Sequence, residues 1–391
     1  MSIQKVIENV YAVGSKDPRR PLFDQLMPLE EGTSYNSYLI KGSEKIALID
    51  TVYPPFEQDI EEKLNELHID HIDYIIADHG EQDHSGALPG LLRKYPMAKI
   101  VTNQKCKEIT MGFLPLKEDD YIVVGDGDSI SLGDKTLEFM MMPWVHWPDT
   151  MFTYLKEDGI LFTTDFFGAH ATNFDLFWED DERLIPLAKA YYAEIMQPFA
   201  RIFQKYIPRV EERAPKMIAS SHGPIYKKPS FIIDLYKEWT SPNKKNQVVI
   251  VGVSMYGSTD QMVDYMTERL TEKGIQVKYY DAVHLNATGL ASDLIDSMGL
   301  VVATPTVLTG PHPAVVMPIF LANILKPTLK YIGLIGSYSW GTLVDKQVTG
   351  MLGNLKDVPI LPPVLAKGTP KENDKKALDE LVEKIAAFHI A

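Results

Sequence analysis

Cysteine is almost missing from this chain: there is one, Cys106, in 391 residues. A lone thiol can form no intramolecular disulfide and cannot build a cysteine-ligated iron–sulfur or rubredoxin-type centre. A reducing compartment is expected, with Cys106 as a small buried apolar residue. Positive charge is scarce as well. With 39 Lys and Arg against 53 Asp and Glu, the formal net charge is −14. That argues against nucleic acid, whose phosphates want basic surfaces, and favours a basic or weakly charged macromolecular partner, or none. No apolar run reaches membrane-spanning length. The opening Met1-Ser2-Ile3-Gln4-Lys5 lacks the apolar stretch of a signal peptide. These absences predict a cytoplasmic protein with no nucleic-acid or membrane partner. Internal repeats and low-complexity tracts are absent too.

What is present divides in two. The length predicts two domains, and an apolar content of 45% is enough to build their cores. The boundary falls in the polar, proline-containing stretch Thr240-Ser241-Pro242-Asn243-Lys244-Lys245-Asn246-Gln247, giving domains 1–245 and 246–391. Before it, 36–40 and 46–50 read as a hairpin, 74–77 as a strand, and 55–67 and 186–206 as helices. This mixture predicts an αββα sandwich. After it, strand-like runs at 248–253, 277–280, 300–303 and 331–336 alternate with helical runs at 261–273, 315–325 and 374–388. That alternation predicts a parallel, doubly wound sheet.

The densest chemistry follows the run Tyr74-Ile75-Ile76-Ala77. It is His79-Gly80-Glu81-Gln82-Asp83-His84, two imidazoles and two carboxylates in one short loop. Buried unpaired charges are costly, and shared metal ions would offset that cost; a solvated acidic turn is the dull alternative. Three later positions, each next to a strand-like run, suit the same site: His146, Asp165 and His222. Singly they could be a capped loop His, a helix N-cap and a turn residue. Four neutral His with Glu81, Asp83 and Asp165 supply three negative charges, close to neutralising two divalent ions. A central carboxylate such as Asp165 can bridge both ions. Mixed imidazole and carboxylate sets suit iron or manganese more than zinc. His170 is a candidate outer partner of the ligands. Tyr191 and Tyr192 are weaker ones, with ordinary helix packing the simpler reading, and Trp147 is a candidate wall residue beside His146. His68 and His71 are expected at the surface.

A second constellation opens the second domain. Ser254-Met255-Tyr256-Gly257-Ser258-Thr259 carries three hydroxyls and a glycine into a helix N-terminus, with no Lys or Arg. It reads equally as an anion cradle or a well-capped helix. Two more stretches lie at the sheet edge where doubly wound folds bind ligands: Thr304-Pro305-Thr306-Val307-Leu308-Thr309-Gly310, and Gly336-Ser337-Tyr338-Ser339-Trp340-Gly341. Together they point to FMN, with aromatic side chains for the isoalloxazine ring.

The loop H-x-E-x-D-H resembles the H-x-H-x-D-H metal loop of the metallo-β-lactamase superfamily, with Glu81 in place of a second His. The hydroxyl-rich loop resembles the phosphate loop of flavodoxin. A metallo-β-lactamase-like domain followed by a flavodoxin-like domain resembles the flavodiiron protein family, over nearly the whole chain and in its minimal two-domain form. The resemblance implies a diiron centre in which His79, Glu81 and His146 hold the iron nearer the flavin. Asp83, His84 and His222 would hold the other, with Asp165 bridging. It implies FMN held by residues 254–259, 304–310 and 337–341, and a head-to-tail homodimer that sets the flavin of one subunit against the irons of the other, with a dimer of dimers as a further assembly.

Members of the family reduce dioxygen to water, nitric oxide to nitrous oxide, or both. Two segments are most similar to the methanogen branch, which oxidises a reduced deazaflavin coenzyme. They are Phe23-Asp24-Gln25-Leu26-Met27-Pro28-Leu29, where many nitric-oxide-reducing members carry a His, and Thr306-Val307-Leu308-Thr309-Gly310-Pro311-His312-Pro313. The expectation is a water-forming oxidase taking electrons from reduced 8-hydroxy-5-deazaflavin coenzyme. The alternatives are a nitric oxide reductase fed by rubredoxin or another donor, and a zinc hydrolase fused to a flavodoxin-like module.

Overall fold

The computed structural model describes residues 3–389. Met1, Ser2, Ile390 and Ala391, at the outer ends of the two expected domains, lie outside the described residues. The chain forms two compact units, Met1–Thr240 and Ser241–Ala391.

The first unit is built on two seven-stranded sheets. In the first, the spatial order is Gln4–Ile7, Val10–Ala12, Tyr38–Lys41, Ile46–Ile49, Tyr74–Ile76, Lys99–Thr102 and Tyr121–Val123. The second runs Ser129–Ser131, Thr136–Met141, Met151–Leu155, Ile160–Phe162, Met217–Ala219, Ile225–Tyr226 and Phe177–Trp178. Alternation along each strand builds the layers, because successive side chains take opposite faces. Ile40, Ala47, Ile49, Ile76 and Val101 meet Phe139, Met151, Leu155, Ile160 and Phe162 of the other sheet in one core. Their neighbours Leu39, Leu48, Ile75 and Ile100 face the other way, onto Ile60, Leu64, Leu88 and Leu91 of flanking helices. On the far side of the second sheet, Phe152 and Phe166 pack beside Phe203 and Tyr236 of the helices Ala200–Glu212 and Pro229–Thr240. This is the αββα sandwich that the sequence predicts.

The second unit is a parallel sheet in the order Gln276–Asp281, Lys245–Gly252, Ser297–Val307, Tyr331–Tyr338 and Val364–Lys367. Numbered along the chain this is 2-1-3-4-5, the flavodoxin order. Val248, Ile250 and Val301 pack on the helices Ser258–Glu272 and Glu372–His389. Val249, Val251 and Val302 pack on Ala287–Asp296, Pro313–Leu325 and Val344–Met351. Among the described residues no helix is long and apolar enough to cross a membrane.

Two expectations need correction. The single helix expected over 186–206 is four pieces: Leu184–Tyr191, a π-helical turn Tyr192–Met196, a 3-10 turn Gln197–Phe199, and Ala200–Glu212. Pro198 is the physical reason, since it offers no N–H to the turn before it. The stretches 304–310 and 336–341 are not wholly loops. The strands run on to Val307 and Tyr338, and Val307 turns back to pair with Gly310 through Leu308 and Thr309, both at positive φ. Two left-handed residues are what a two-residue hairpin with the native strand twist requires.

Candidate metal centre

The seven expected side chains come from both sheets of the first unit. His79 to His84 follow the strand Tyr74–Ile76, and His146 follows Thr136–Met141. Asp165 and His222 stand past the ends of two neighbouring parallel strands, Ile160–Phe162 and Met217–Ala219. Strand ends fix the backbone of each, so the side chains are held on rigid elements.

They converge into two groups of donor atoms: His79, Glu81, His146 and Asp165, and Asp83, His84 and His222. Asp165 joins the groups through its two oxygens. Its Oδ2 lies 3.4 Å from His79 Nε2 and 3.3 Å from His146 Nε2. Its Oδ1 lies 3.1 Å from the Nε2 atoms of both His84 and His222. Glu81 Oε2 completes the first group, 3.3 Å from His79 and 3.4 Å from His146. Asp83 completes the second, 3.4 Å from each of His84 and His222 through different oxygens.

His79 Nε2 and Glu81 Oε2 are within hydrogen-bond geometry, whereas the other contacts are close but out of alignment. Both oxygens of Asp83, Oδ2 of Asp165, and Nε2 of His84 and His222 are buried without a hydrogen-bond partner. Orphaned buried polar atoms are rare in native proteins and need a reason. Here every one is a potential metal donor aimed into the same space, so the residues fit a pair of cations.

The other ring nitrogens are anchored. His79 Nδ1 donates to Asp149 Oδ2 at 3.1 Å, and the Gly80 amide donates to the same oxygen at 2.7 Å. His222 Nδ1 donates to the Ser34 carbonyl at 2.5 Å. His84 Nδ1 lies 3.3 Å from Thr164 Oγ1 and 3.7 Å from Asp50 Oδ2. A hydrogen bond at Nδ1 fixes the ring and leaves Nε2 free to ligate.

The electrostatics show the same demand for positive charge. Burial pulls His79 down, but Asp149, Glu81 and Asp165 outweigh it and lift the imidazole to about 10. Burial likewise opposes a proton on His222, yet Asp165 and Asp83 raise it to about 9. Despite burial, the surrounding imidazoles hold the Asp165 carboxyl well below the usual carboxylate range. Divalent cations answer that demand in place of protons.

Around the donors, one expectation changes. Tyr191 is more than helix packing: its hydroxyl donates to Asp165 Oδ1 at 2.9 Å, and burial, then Asp165, push the phenol well up so that it keeps its proton. Tyr192 does pack in the helical segment, with a buried hydroxyl that has no partner. His170 is buried beside His222, ring centroids 5.3 Å apart, with Nδ1 2.8 Å from Thr33 Oγ1. Trp147 stands edge-on to His79 at 5.1 Å. It lines an opening of about 400 Å³ with Phe23, Asp24, Glu81, Asp83 and Arg20. Arg20 has no sequence signal that would place it there. It lies 4.9 Å from the ring of Tyr53 and donates to the Tyr35 hydroxyl at 2.9 Å. His68 and His71 are exposed, and Cys106 is buried.

In the second unit the hydroxyl-rich loop leads into the helix Ser258–Glu272, with Gly257 at φ 83 just before it. The Gly257 amide donates to Ser254 Oγ at 3.0 Å, and Thr259 Oγ1 lies 3.1 Å from Ser337 Oγ. The three strand-end stretches leave Met255, Tyr256, Leu308 and Trp340 exposed, Tyr256 at 91%. Large apolar side chains uncovered around one strand edge fit a flat ring ligand.

Comparison with known proteins agrees with this geometry. A family model described as ODP family beta lactamase matches residues 33–223. The chain is 34% identical over 296 residues to the coenzyme F420H(2) oxidase of Methanothermobacter marburgensis, covering 73% of each chain. It is 32% identical over 391 residues to the nitric oxide reductase of Moorella thermoacetica, covering 98% of each. Among solved structures, the rubredoxin oxygen:oxidoreductase of Desulfovibrio gigas superposes with a TM-score of 0.94 at 28% identity, covering 99% of this chain and 98% of that one.

Proposed function

Because the chain belongs to the flavodiiron protein family, whose members are oxidoreductases, we propose that it is a cytoplasmic, water-forming oxidase. It takes electrons from a reduced 8-hydroxy-5-deazaflavin coenzyme and delivers them through FMN to a diiron centre. The observation that carries this reading is the two-lobed donor set shared by Asp165. His79, Glu81 and His146 would hold one iron, Asp83, His84 and His222 the other, and Asp165 both. Glu81 in place of an imidazole favours iron over zinc, which displaces the hydrolase alternative. When bound, FMN and two irons supply the exchange between two-electron and one-electron chemistry that dioxygen reduction needs.

The residues of the chain do the rest. Asp149 and the Ser34 carbonyl orient His79 and His222. Tyr191 holds a proton at Oη against the central carboxylate. Phe23 and Trp147 give the opening part of its apolar wall. Phe23, with its ring 4.4 Å from that of His170, opens the segment 23–29, where many nitric-oxide-reducing members of the family have a His. That segment and the relative named coenzyme F420H(2) oxidase support the donor and the acceptor. Residues 254–259, 304–310 and 337–341 would hold FMN, in a head-to-tail homodimer that can pair again into a dimer of dimers.

The second reading is nitric oxide reduction to nitrous oxide with the same cofactors, and the full-length relative named nitric oxide reductase favours it. An activity matrix separates the two: deazaflavin coenzyme, NADH and reduced rubredoxin as donors, each with dioxygen and nitric oxide. The expected result is turnover with the deazaflavin coenzyme and dioxygen, two reduced coenzymes consumed per dioxygen and two waters formed. Under nitrogen, the FMN band should bleach within the turnover time on adding that coenzyme alone. Bleaching only after a rubredoxin or a separate reductase is supplied would refute the donor.

The phosphate loop gives a further expected result. Substituting both Ser258 and Thr259 with Ala should weaken FMN retention about tenfold or more, through loss of charge-assisted hydrogen bonds. Fluorescence titration of the flavin-stripped protein reads it directly. Unchanged affinity would move the phosphate to another loop.

A further inference from the structure

Two lysines of the first unit line one small cavity and have no acidic partner in contact among the described residues. The helix Glu57–Glu66 packs Ile60 and Leu64 into the core, and Lys63 lies between them, 5% exposed. Its ammonium donates to the carbonyls of Val13, at 3.4 Å, and Gly14. Lys16, half-buried in the strand Ser15–Asp17, donates to the carbonyls of Thr172 and Phe174, both at 2.8 Å. Among the described residues neither ammonium forms a salt bridge; burial pushes both downward, against the charge of Asp59 for Lys63 and of Asp175 for Lys16.

An ammonium has three N–H donors, and each of these two spends two on carbonyls. One remains on each. A third donor is the hydroxyl of Ser15, which is 2% exposed, lines the same cavity and has no hydrogen-bond partner. The cavity gives water-sized centres about 40 Å³, whereas one water needs roughly 10–15 Å³. It is too small for an organic acid or a nucleotide. Of its lining residues, Lys16 and Lys63 are cationic and Asp175, exposed at the surface, is the one carboxylate. A cavity with three spare donors, an excess of positive charge and room for no more than a few water-sized groups suits a small anion.

We propose that this cavity is a binding site for one small monovalent anion of halide size, held by Lys16, Lys63 and the Ser15 hydroxyl. The site is distinct from the metal centre but linked to it through backbone. Asn36 lines the cavity and donates to the carbonyls of Ser220 and Gly223, on either side of His222. Ala171, which also lines it, follows His170 directly. An anion here ties the start of the chain and the helix Glu57–Glu66 to the turns that carry His170 and His222. It is a positioning site for the unit, and it takes no part in the chemistry.

The test uses the full-length, metal-loaded protein, with sodium bromide titrated against sodium gluconate at constant ionic strength. Bromide should raise the unfolding temperature in a saturable way, by roughly 5 °C at a hundredfold excess over half-saturation, and gluconate should not. Crystals grown in bromide should show an anomalous peak between the two ammonium groups and Ser15 Oγ. Ser15→Ala, which removes only a hydroxyl, should raise the half-saturating bromide about tenfold, and Lys63→Met should abolish the response. If Lys63→Met does not fold, Ser15→Ala and the anomalous map decide between them. Equal responses to the two salts, water in place of the peak, or a peak with no saturable thermal effect (an adventitious ion only) would each overturn the proposal.

Discussion

Replacing Asp165 with Asn should empty the metal centre while leaving the first unit folded. The change keeps the side chain's shape but turns one donor oxygen into an NH2 group, which cannot ligate, and it removes one negative charge. Asp165 alone belongs to both lobes, with Oδ2 against His79 and His146 and Oδ1 against His84 and His222. Iron should fall from about two atoms per chain to well under one. Oxygen reduction should fall by more than the roughly 10–100-fold that losing an outer partner of a ligand costs. Elemental analysis of the purified variant beside its near-ultraviolet circular dichroism checks both halves. Two retained irons with near-normal turnover would refute the bridging role.

Glu81→His should change which metal is taken up. The Glu81 carboxylate faces two imidazoles, at 3.3 and 3.4 Å. A third imidazole there would leave the first lobe with nitrogen donors and Asp165 as its sole anion. Such a set suits zinc, and it carries less of the negative charge that stabilises iron in its higher oxidation state. The variant should purify with zinc in place of iron and lose oxygen reduction. The measurement is zinc and iron content after expression in a medium containing both. Retained iron with normal turnover would show that Glu81 does not set metal choice.

The sequence made the donors legible because their chemistry is expensive to bury: two imidazoles and two carboxylates in a loop after an apolar strand are hard to reconcile with packing alone. The partners of those donors were not legible. Asp149 sits in plain view three residues after His146, yet nothing local says that its carboxylate crosses to His79 and the Gly80 amide. Ser34 reaches His222 through a backbone carbonyl, which carries no sequence signature at all. Tyr191 was masked by its surroundings, since an aromatic pair in a helical run reads as packing. Only the irregular turns after it, Tyr192–Met196 and Gln197–Phe199, hint at something unusual. In the second unit, strand-and-helix alternation gave the layers correctly because both faces of a parallel sheet are buried. It missed the short helices Ala287–Asp296 and Val344–Met351 and the edge strand Val364–Lys367, which are too brief to show a clear period.

The way the donors are spread along the chain has a consequence for biosynthesis. His79 leaves the ribosome early, whereas His222 emerges only shortly before the first unit ends at Thr240. Contacts this far apart in sequence form late, after the chain between them has collapsed. The first lobe is complete once Asp165 has been made, whereas the second lacks His222 until the strand Met217–Ala219 has emerged. The second lobe therefore gains its last donor only when the sandwich is nearly whole.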